Sequence, residues 1–588
     1  MPRYLPKSIV CLREGYTARG VLADVLAGLT VGVIALPLAM AFGIASIPKS
    51  VADSAGLSPP AMGLYTAVVA GFIISALGGS RVQIGGPTGA FIVIVYGVAS
   101  QYGYDGLATA TLMAGGIMVL MALFRFGAMI KFIPYPVTTG FTSGIALIIF
   151  SSQIKEFFGL KIDALPPDFV GQLRAYAAQV GTWSPGAAAI GGGSLLVLAL
   201  LRRYAPRIPG AIVVILLAGT VVYLFGLGVP TIGSVFGGIP RSLPAPHLPQ
   251  LMFGQWRELL PSALTIAMLA SIESLLSAVV ADGMTGFRHK TDCELMAQGL
   301  ANIASVCFGG IPATGAIART AANVKSGGRT PLSGMIHAAT LLLCMGLLAP
   351  LATNIPLASL AAVLMMVAWN MSELDHFRSL LRAPRGDVAV LLTTFGLTVF
   401  ADLTIAVGVG TVLAAMLFIR RMAEVSNISA VRRELDNGAD DLAELKDPNA
   451  ISARDIPPGV EVYEINGPFF FGIADRLQDT LRGLERPPRV FILRMRRVPA
   501  MDATGLHALE EFYEKCHRQG TVLLLSGVHA QPLNVLVQHS LSEKIGSKNL
   551  SGNIDDALNR ARELLGLPVG TRPEGAVAEV AREGRSAK

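Results

Sequence analysis

Charge is scarce in this chain of 588 residues: 15% is Asp, Glu, Lys or Arg, against 52% hydrophobic, with a mean hydropathy of +0.56. Soluble domains carry about 25% charged residues, so a soluble globular protein is excluded and a polytopic membrane protein is implied. Cysteine is rare and scattered (Cys11, Cys293, Cys307, Cys344, Cys516), which excludes a disulfide framework and a metal site built on paired thiols. His289, His337 and His376 show no ligand spacing, so no metal is assigned. A Walker A loop, a Gly-x-Ser-x-Gly elbow and a zinc signature are all missing, so ATP-driven pumping and hydrolytic chemistry lack support and no enzyme or organic cofactor is expected. Met1 to Asp24 lacks an apolar core, so no cleavable signal peptide is expected. The net charge of +7 sits at the ends of apolar spans, where the lipid bilayer is the partner and nucleic acid is not.

What is present is a series of long uncharged runs. A basic segment, residues 1–24, precedes uncharged residues 25–48, enough to cross a hydrocarbon core of about 30 Å. Pro37 inside that run implies a kink or an unwound point. Further spans are expected at 54–80, at 88–100 as a short helix, and at 106–124, 132–154, 186–201 and 208–228, making a first set of seven. A polar loop is expected from 155 to 174 and a Pro-rich loop over 229–257. The second set begins at 259–281 and continues through 295–308 and a broken segment ending near Lys325. Residues 330–372 hold no Asp, Glu, Lys or Arg and divide at Asn354-Ile355-Pro356; residues 388–419 divide at Asp402. Again seven. Alternate crossings from a cytoplasmic N-terminus place Arg81, Arg125 and Lys131, Arg202, Arg203 and Arg207, Arg288 and Lys290, Lys325 and Arg329, Arg378, Arg382 and Arg385, and Arg420 and Arg421 inside, with the C-terminus.

Composition changes after residue 422. Residues 423–456 read as a charged linker, 457–566 as one small α/β domain, and 567–588 as a disordered tail. In the α/β part, strands are expected near Glu461, Val490 and Thr521, with helices near 472–484, 505–518 and 531–540.

Two stretches organise the membrane part. Gly309 to Thr320 opens with Gly309, Gly310 and Pro312, which break a helix, and resumes helical character from Thr314. Gly85 to Phe91 repeats the pattern, with Thr88, Gly89 and Ala90 echoing Thr314, Gly315 and Ala316. A helix that starts within a membrane aims unpaired N–H groups and a positive dipole end at the midplane, where an anion is the natural occupant. Two such breaks in corresponding halves mark an inverted-repeat transporter with its site where they meet. Glu273 lies in mid-span, where a carboxylate is costly and functional by default. It is read as a proton acceptor in a coupled cycle or a Na⁺ ligand, with Ser277 one turn further on the same face. Arg319 either supplies positive charge to the anion or pairs with Glu273.

These residues resemble the SulP anion transporters with a C-terminal STAS domain, over about residues 15 to 566. The resemblance rests on Leu36-Pro37 to Phe42, Gly85 to Ala90, Pro134 to Gly144, Ile272-Glu273-Ser274, Arg319-Thr320 and Lys325 to Gly334, and on Asp502-Ala503-Thr504-Gly505-Leu506 in the soluble part. It implies seven-plus-seven inverted repeats in core and gate domains, and elevator-like transport in a bacterial inner membrane. It also implies a homodimer whose STAS domain contacts regulatory proteins. On matching positions it nominates Phe42, Thr88, Gly89, Ala90, Glu273, Thr314, Gly315, Ala316 and Arg319 for the site. Many members have glutamine after the first-helix proline, where this chain has Leu38. The segments at Leu36–Phe42 and from Ala281 to Lys290 look closest to the enterobacterial C4-dicarboxylate carriers of the family. The anion stays open among sulfate, bicarbonate and dicarboxylates such as succinate, and the coupling ion between H⁺ and Na⁺. Thr504 stands where the related anti-sigma antagonists carry a phosphorylatable serine, so it reads as a regulatory contact, a phosphosite or simply a helix-capping residue. An uncoupled channel or exchanger, an anion sensor and a nucleobase permease are competing readings of the same architecture.

Overall fold

The structure is a computed structural model; it describes residues 4–127, 134–162, 165–166, 168–205, 208–401, 403–425, 427–430, 454–470 and 487–570. The chain divides into two units, Met1–Ala414 and Ala415–Lys588. Among the described residues, 8 helical stretches are long and apolar enough to cross a membrane.

The first unit opens with a short helix α1 (Lys7–Glu14) and the long α2 (Ala18–Ser46), whose first turn is capped by the Thr17 side chain accepting from the Gly20 amide. Then come α3 (Lys49–Ser54), α4 (Pro59–Leu77) and a two-residue strand β1 (Gly85–Gly86). A single turn of 3-10 helix, Gly89–Phe91, leads into α5 (Ile92–Leu123). Helix α5 is two segments joined at Gly103, whose φ of 69° is a left-handed conformation that suits glycine. Next are α6 (Tyr135–Ser152), α7 (Ile154–Phe158), α8 (Phe169–Gln179), α9 (Pro185–Tyr204), α10 (Gly210–Phe225) and α11 (Ile232–Phe236). The second half holds α12 (Trp256–Thr285), α13 (Thr291–Cys307), the strand β2 (Thr314–Gly315), α14 (Ile317–Lys325), α15 (Leu332–Ala352), α16 (Leu357–Met371), α17 (Leu374–Leu380), α18 (Arg385–Phe400) and α19 (Leu403–Val425).

The fold is a seven-plus-seven inverted repeat. Segments α2, α4, both parts of α5, α6, α9 and α10 form one set; α12, α13, α14, α15, α16, α18 and α19 form the other. Their packing mirrors. Helix α2 lies on α15 as α12 lies on α5, and α6 lies on α18 as α16 lies on α9. One bundle, the core, is therefore α2, α4, α5 and α12 to α15, and the gate is built around α6, α9, α10, α16 and α18. In a bilayer, helices associate through close packing and not through apolar burial, so small residues set their spacing. At Gly43 an added Cβ would stand 2.0 Å from the Pro59 carbonyl oxygen, and at Gly63 it would stand 1.9 Å from that of Ala39. The backbones of α2 and α4 touch there.

Buried carboxylates tie turns to helices. Asp24 on α2 accepts from the Arg329 amide at 2.7 Å and the Thr330 hydroxyl at 2.5 Å, fixing the turn before α15. Glu294 on α13 accepts from the amides of Gly79 and Ser80 at 2.8 and 3.0 Å, fixing the end of α4. The stretch read as a polar loop, 155–174, instead contains α7 and the start of α8, which Asp168 caps through the Gly171 amide. The Pro-rich loop contains the short α11. Lys131, Arg207, Asp402, most of the 423–456 linker, the expected 472–484 helix and residues 571–588 lie outside the described residues. Helix α19 runs past the expected boundary at 422 to Val425, and within the expected tail the Gly570 amide is bonded to the Asn559 side chain.

The second unit is a five-stranded sheet in the order β3 (Asn427–Ala430), β4 (Val460–Asn466), β5 (Val490–Arg497), β6 (Val522–Ser526), β7 (Leu550–Ser551). Strand β3 pairs antiparallel with β4, and the remaining pairs are parallel. Side chains alternate between two faces, as the pleat requires. Tyr463, Ile465, Phe491 and Leu493 join Leu509 and Phe512 of the helix Ala503–Arg518. Val460, Val462, Val490 and Ile492 meet Ala557 and Leu558 of the helix Ile554–Leu565 on the other face. Cys516 is buried in the first of these cores, and burial pushes its thiol up to about 12.

Candidate functional site

The two helix breaks meet. Strands β1 and β2 run antiparallel, with Gly85 opposite Gly315 and Gly86 opposite Thr314. The pairing is completed by the Ala316 amide donating to the Ile84 carbonyl at 2.8 Å. Side chains from α12 and α14 lock the crossing. The Thr320 hydroxyl accepts from the Ile84 amide at 3.0 Å, and the Ser274 hydroxyl accepts from the Gly315 amide at 3.0 Å. Gln83 donates to the Ser274 carbonyl at 3.0 Å, while Asn302 bonds both the amide and the carbonyl of Ala313. With their backbone polar groups satisfied in this way, non-helical strands can sit inside a membrane domain.

In front of this crossing lies a cavity of about 540 Å³ between core and gate. From the core it is lined by Phe42 of α2, by Thr88, Gly89 and Ala90 at the first break, by Glu273 of α12, and by Ala316 and Arg319 at the second. From the gate come mostly apolar groups, among them Val137, Phe141, Val367 and Met371. Leu38 also lines it. The Thr88 hydroxyl donates to a Glu273 carboxylate oxygen at 3.0 Å, so one break and the mid-span carboxylate are joined directly. Arg319 is 4% exposed; its Nη2 donates to the Pro87 carbonyl, and its Nη1 has no hydrogen-bond partner. Arg319 and Glu273 share the cavity without a salt bridge between them. The arrangement offers an anion one buried guanidinium and the open N–H groups of the first turn of α14, with a carboxylate close by.

Three of the nominated residues stand elsewhere. Thr314 is fully buried, its hydroxyl 2.7 Å from that of Ser274 and 3.0 Å from the Ala270 carbonyl. Gly315 packs against Gln83, where an added Cβ would be 1.7 Å from Nε2. Ser277 donates to the Thr320 hydroxyl at 3.0 Å and fastens α12 to α14 away from the cavity lining. Thr504 is exposed in the first turn of the helix Ala503–Arg518, and the cap of that helix is Asp502, which accepts from the Gly505 amide at 2.7 Å. Glu373, which also lines the cavity, was missed. Its signal was its place as the first charge after the uncharged run 330–372.

The sulfate permease family pattern matches residues 21–394, and the STAS domain pattern matches residues 453–557. The chain belongs to the sulfate permease family. This family member is 40% identical over 545 residues to YvdB of Bacillus subtilis (strain 168), a protein whose name marks it provisionally as a sulfate transporter; the match covers 92% of this chain and 98% of YvdB. It is 30% identical to the bicarbonate transporter BicA of Picosynechococcus sp. (strain ATCC 27264 / PCC 7002 / PR-6), over 92% of this chain and 95% of BicA. Its fold is that of the murine anion transporter Slc26a9 in an inward-facing state, with a TM-score of 0.82, 19% identity, and coverage of 95% of this chain and 94% of the other. The family is one of membrane transporters and not of enzymes.

Proposed function

We propose that this member of the sulfate permease family is a secondary active transporter of a small inorganic anion of the sulfate or bicarbonate class. In this reading it lies in a bacterial inner membrane with both termini cytoplasmic. The observation that carries the reading is Arg319, a buried guanidinium that lines the cavity at the second helix break and whose Nη1 has no hydrogen-bond partner. The anion binds between the starts of the two half-helices, and core and gate move past one another in an elevator-like cycle. Glu273, bonded to Thr88, couples anion to cation by taking a proton or a Na⁺ ion. A carboxylate beside an anion repels it unless neutralised, so cation and anion load together. A homodimer is part of this reading, as the family resemblance implies.

The test is uptake into proteoliposomes of labelled sulfate, bicarbonate and succinate, each with and without an inward proton or Na⁺ gradient, for wild type and Glu273→Gln. Gradient-stimulated uptake of one inorganic anion, lost in Glu273→Gln, is expected. Preference for succinate would move the protein to the dicarboxylate carriers. Uptake indifferent to both the gradients and Glu273 would make it an exchanger or a channel.

A further inference from the structure

The cavity holds a second carboxylate that the transport reading does not use. Glu373 follows α16 at the N-cap position of α17, its side chain not engaged in capping, and lines the cavity while 46% of that side chain stays exposed, so it sits at the mouth. Its backbone is left-handed, at φ 42° and ψ 44°. That conformation is uncommon for a residue with a Cβ, and it persists where the surroundings over-determine it. Here several contacts do so. The Glu373 carbonyl accepts from the Phe377 amide at 2.9 Å, and Phe377 stacks edge-on to Phe395 of α18 at 5.4 Å. His376 stands 3.4 Å from the Glu373 carboxylate and edge-on to Tyr135 of α6 at 6.2 Å. The turn thus ties α16, α17, α18 and the start of α6 together and presents a negative charge to the opening. Among the described residues, the charged groups that line the cavity are then Arg319 against Glu273 and Glu373, one cation and two carboxylates.

We propose that Glu373 is a charge filter at the mouth of the anion site. Its fixed negative charge lowers occupancy from that side, speeds release, and selects against higher anion charge. The inference rests on the anion-site reading of the cavity. Because a potential acts on charge, its effect on binding is exponential in ligand charge: a factor of about three for a monovalent anion becomes about nine for a divalent one. Because the mouth is solvated, the effect is screened as the Debye length falls from about 10 Å at 0.1 M salt to about 3 Å at 1 M.

The experiment is a thermal-shift titration of the purified full-length protein in detergent with sulfate and with bicarbonate, at low and at high sodium gluconate. Wild type, Glu373→Gln and Glu373→Gly are compared. Glycine keeps the left-handed turn without the charge and so separates charge from backbone. Both variants are expected to bind bicarbonate about threefold and sulfate about ninefold more tightly than wild type at low salt, with the gain vanishing at about 1 M. Wild-type half-saturation in both variants, or a gain independent of ligand charge or of salt, would overturn the proposal. If wild type itself saturates with neither anion, the anion-site reading falls first, and the filter falls with it.

Discussion

Arg319 uses its two terminal nitrogens differently. Nη2 holds the Pro87 carbonyl, which fixes the exit from β1, while Nη1 is buried beside Gly86 without a hydrogen-bond partner; in the proposed reading the guanidinium supplies the positive charge that holds the anion. Lysine supplies the charge without the planar fork, and alanine supplies neither. A hydrogen bond to a charged group contributes about 1.5–3 kcal/mol. Arg319→Lys is therefore expected to raise the half-saturation concentration for anion uptake by roughly tenfold, and Arg319→Ala by roughly a hundredfold or beyond measurement. Wild-type half-saturation in Arg319→Ala would remove Arg319 from the site. At this scale the sequence was a partial guide. The repeated Thr-Gly-Ala identified where the chain breaks, but not which side of each break faces the cavity. Thr88 reaches Glu273, whereas its counterpart Thr314 turns inward to Ser274 and Ala270. Ser277 was placed with Glu273 by helical spacing, yet α14 covers that turn of α12 and Thr320 takes its hydroxyl. Periodicity fixes a face of a helix, while the neighbour that covers it is a tertiary fact.

Among elements, the contact between α2 and α4 governs how the core holds the first half-helix. An added methyl at Gly63 meets the Ala39 carbonyl at 1.9 Å, which is backbone and cannot rotate away. Overpacking of this kind costs about 1–3 kcal/mol where some relief exists and more where none does. Gly63→Ala is expected to lower the melting temperature of the detergent-purified protein by several degrees and to weaken uptake, because α2 carries Phe42 into the cavity. Gly116→Ala on α5, where an added Cβ meets nothing within 4 Å, is the matched control and should leave both unchanged. Equal effects from the two substitutions would count against a packing cause. Most membrane elements were legible because lipid demands uncharged runs and their ends carry basic residues or breakers. Asn354 to Pro356 does separate α15 from α16. The two-residue strands were not legible, since Gly85-Gly86 and Thr314-Gly315 pair only once the halves of the chain are brought together. Helix α8 was missed for a different reason: it has a mixed composition and no apolar run long enough to separate it from a loop.

For the molecule as a whole, the described residues that line the cavity fall within the unit Met1–Ala414. The STAS unit has its own sheet and two apolar cores. The change of composition after residue 422 made the existence of two units legible, while the antiparallel edge pairing of β3 with β4 was hidden because β3 lies in the stretch read as a charged linker. On the proposed reading of the cavity, anion affinity is expected to belong to the first unit. A chain ending at Val425 is expected to keep its half-saturation for sulfate or bicarbonate within about twofold, a difference of roughly 0.4 kcal/mol, whatever happens to its maximal rate. The same logic covers Thr504, whose hydroxyl is exposed and free of the capping duty that Asp502 performs. Negative charge in the first turn of a helix is favourable, so Thr504→Glu should leave the STAS unit folded. Neither Thr504→Glu nor Thr504→Ala should alter half-saturation in proteoliposomes, where no regulatory protein is present. A shift in rate confined to cells would place Thr504 in a partner contact. A tenfold change in half-saturation, from either the shortened chain or a Thr504 substitution, would mean that the STAS unit reaches the anion site through the conformational equilibrium of the core, and the separation of affinity from regulation would be wrong.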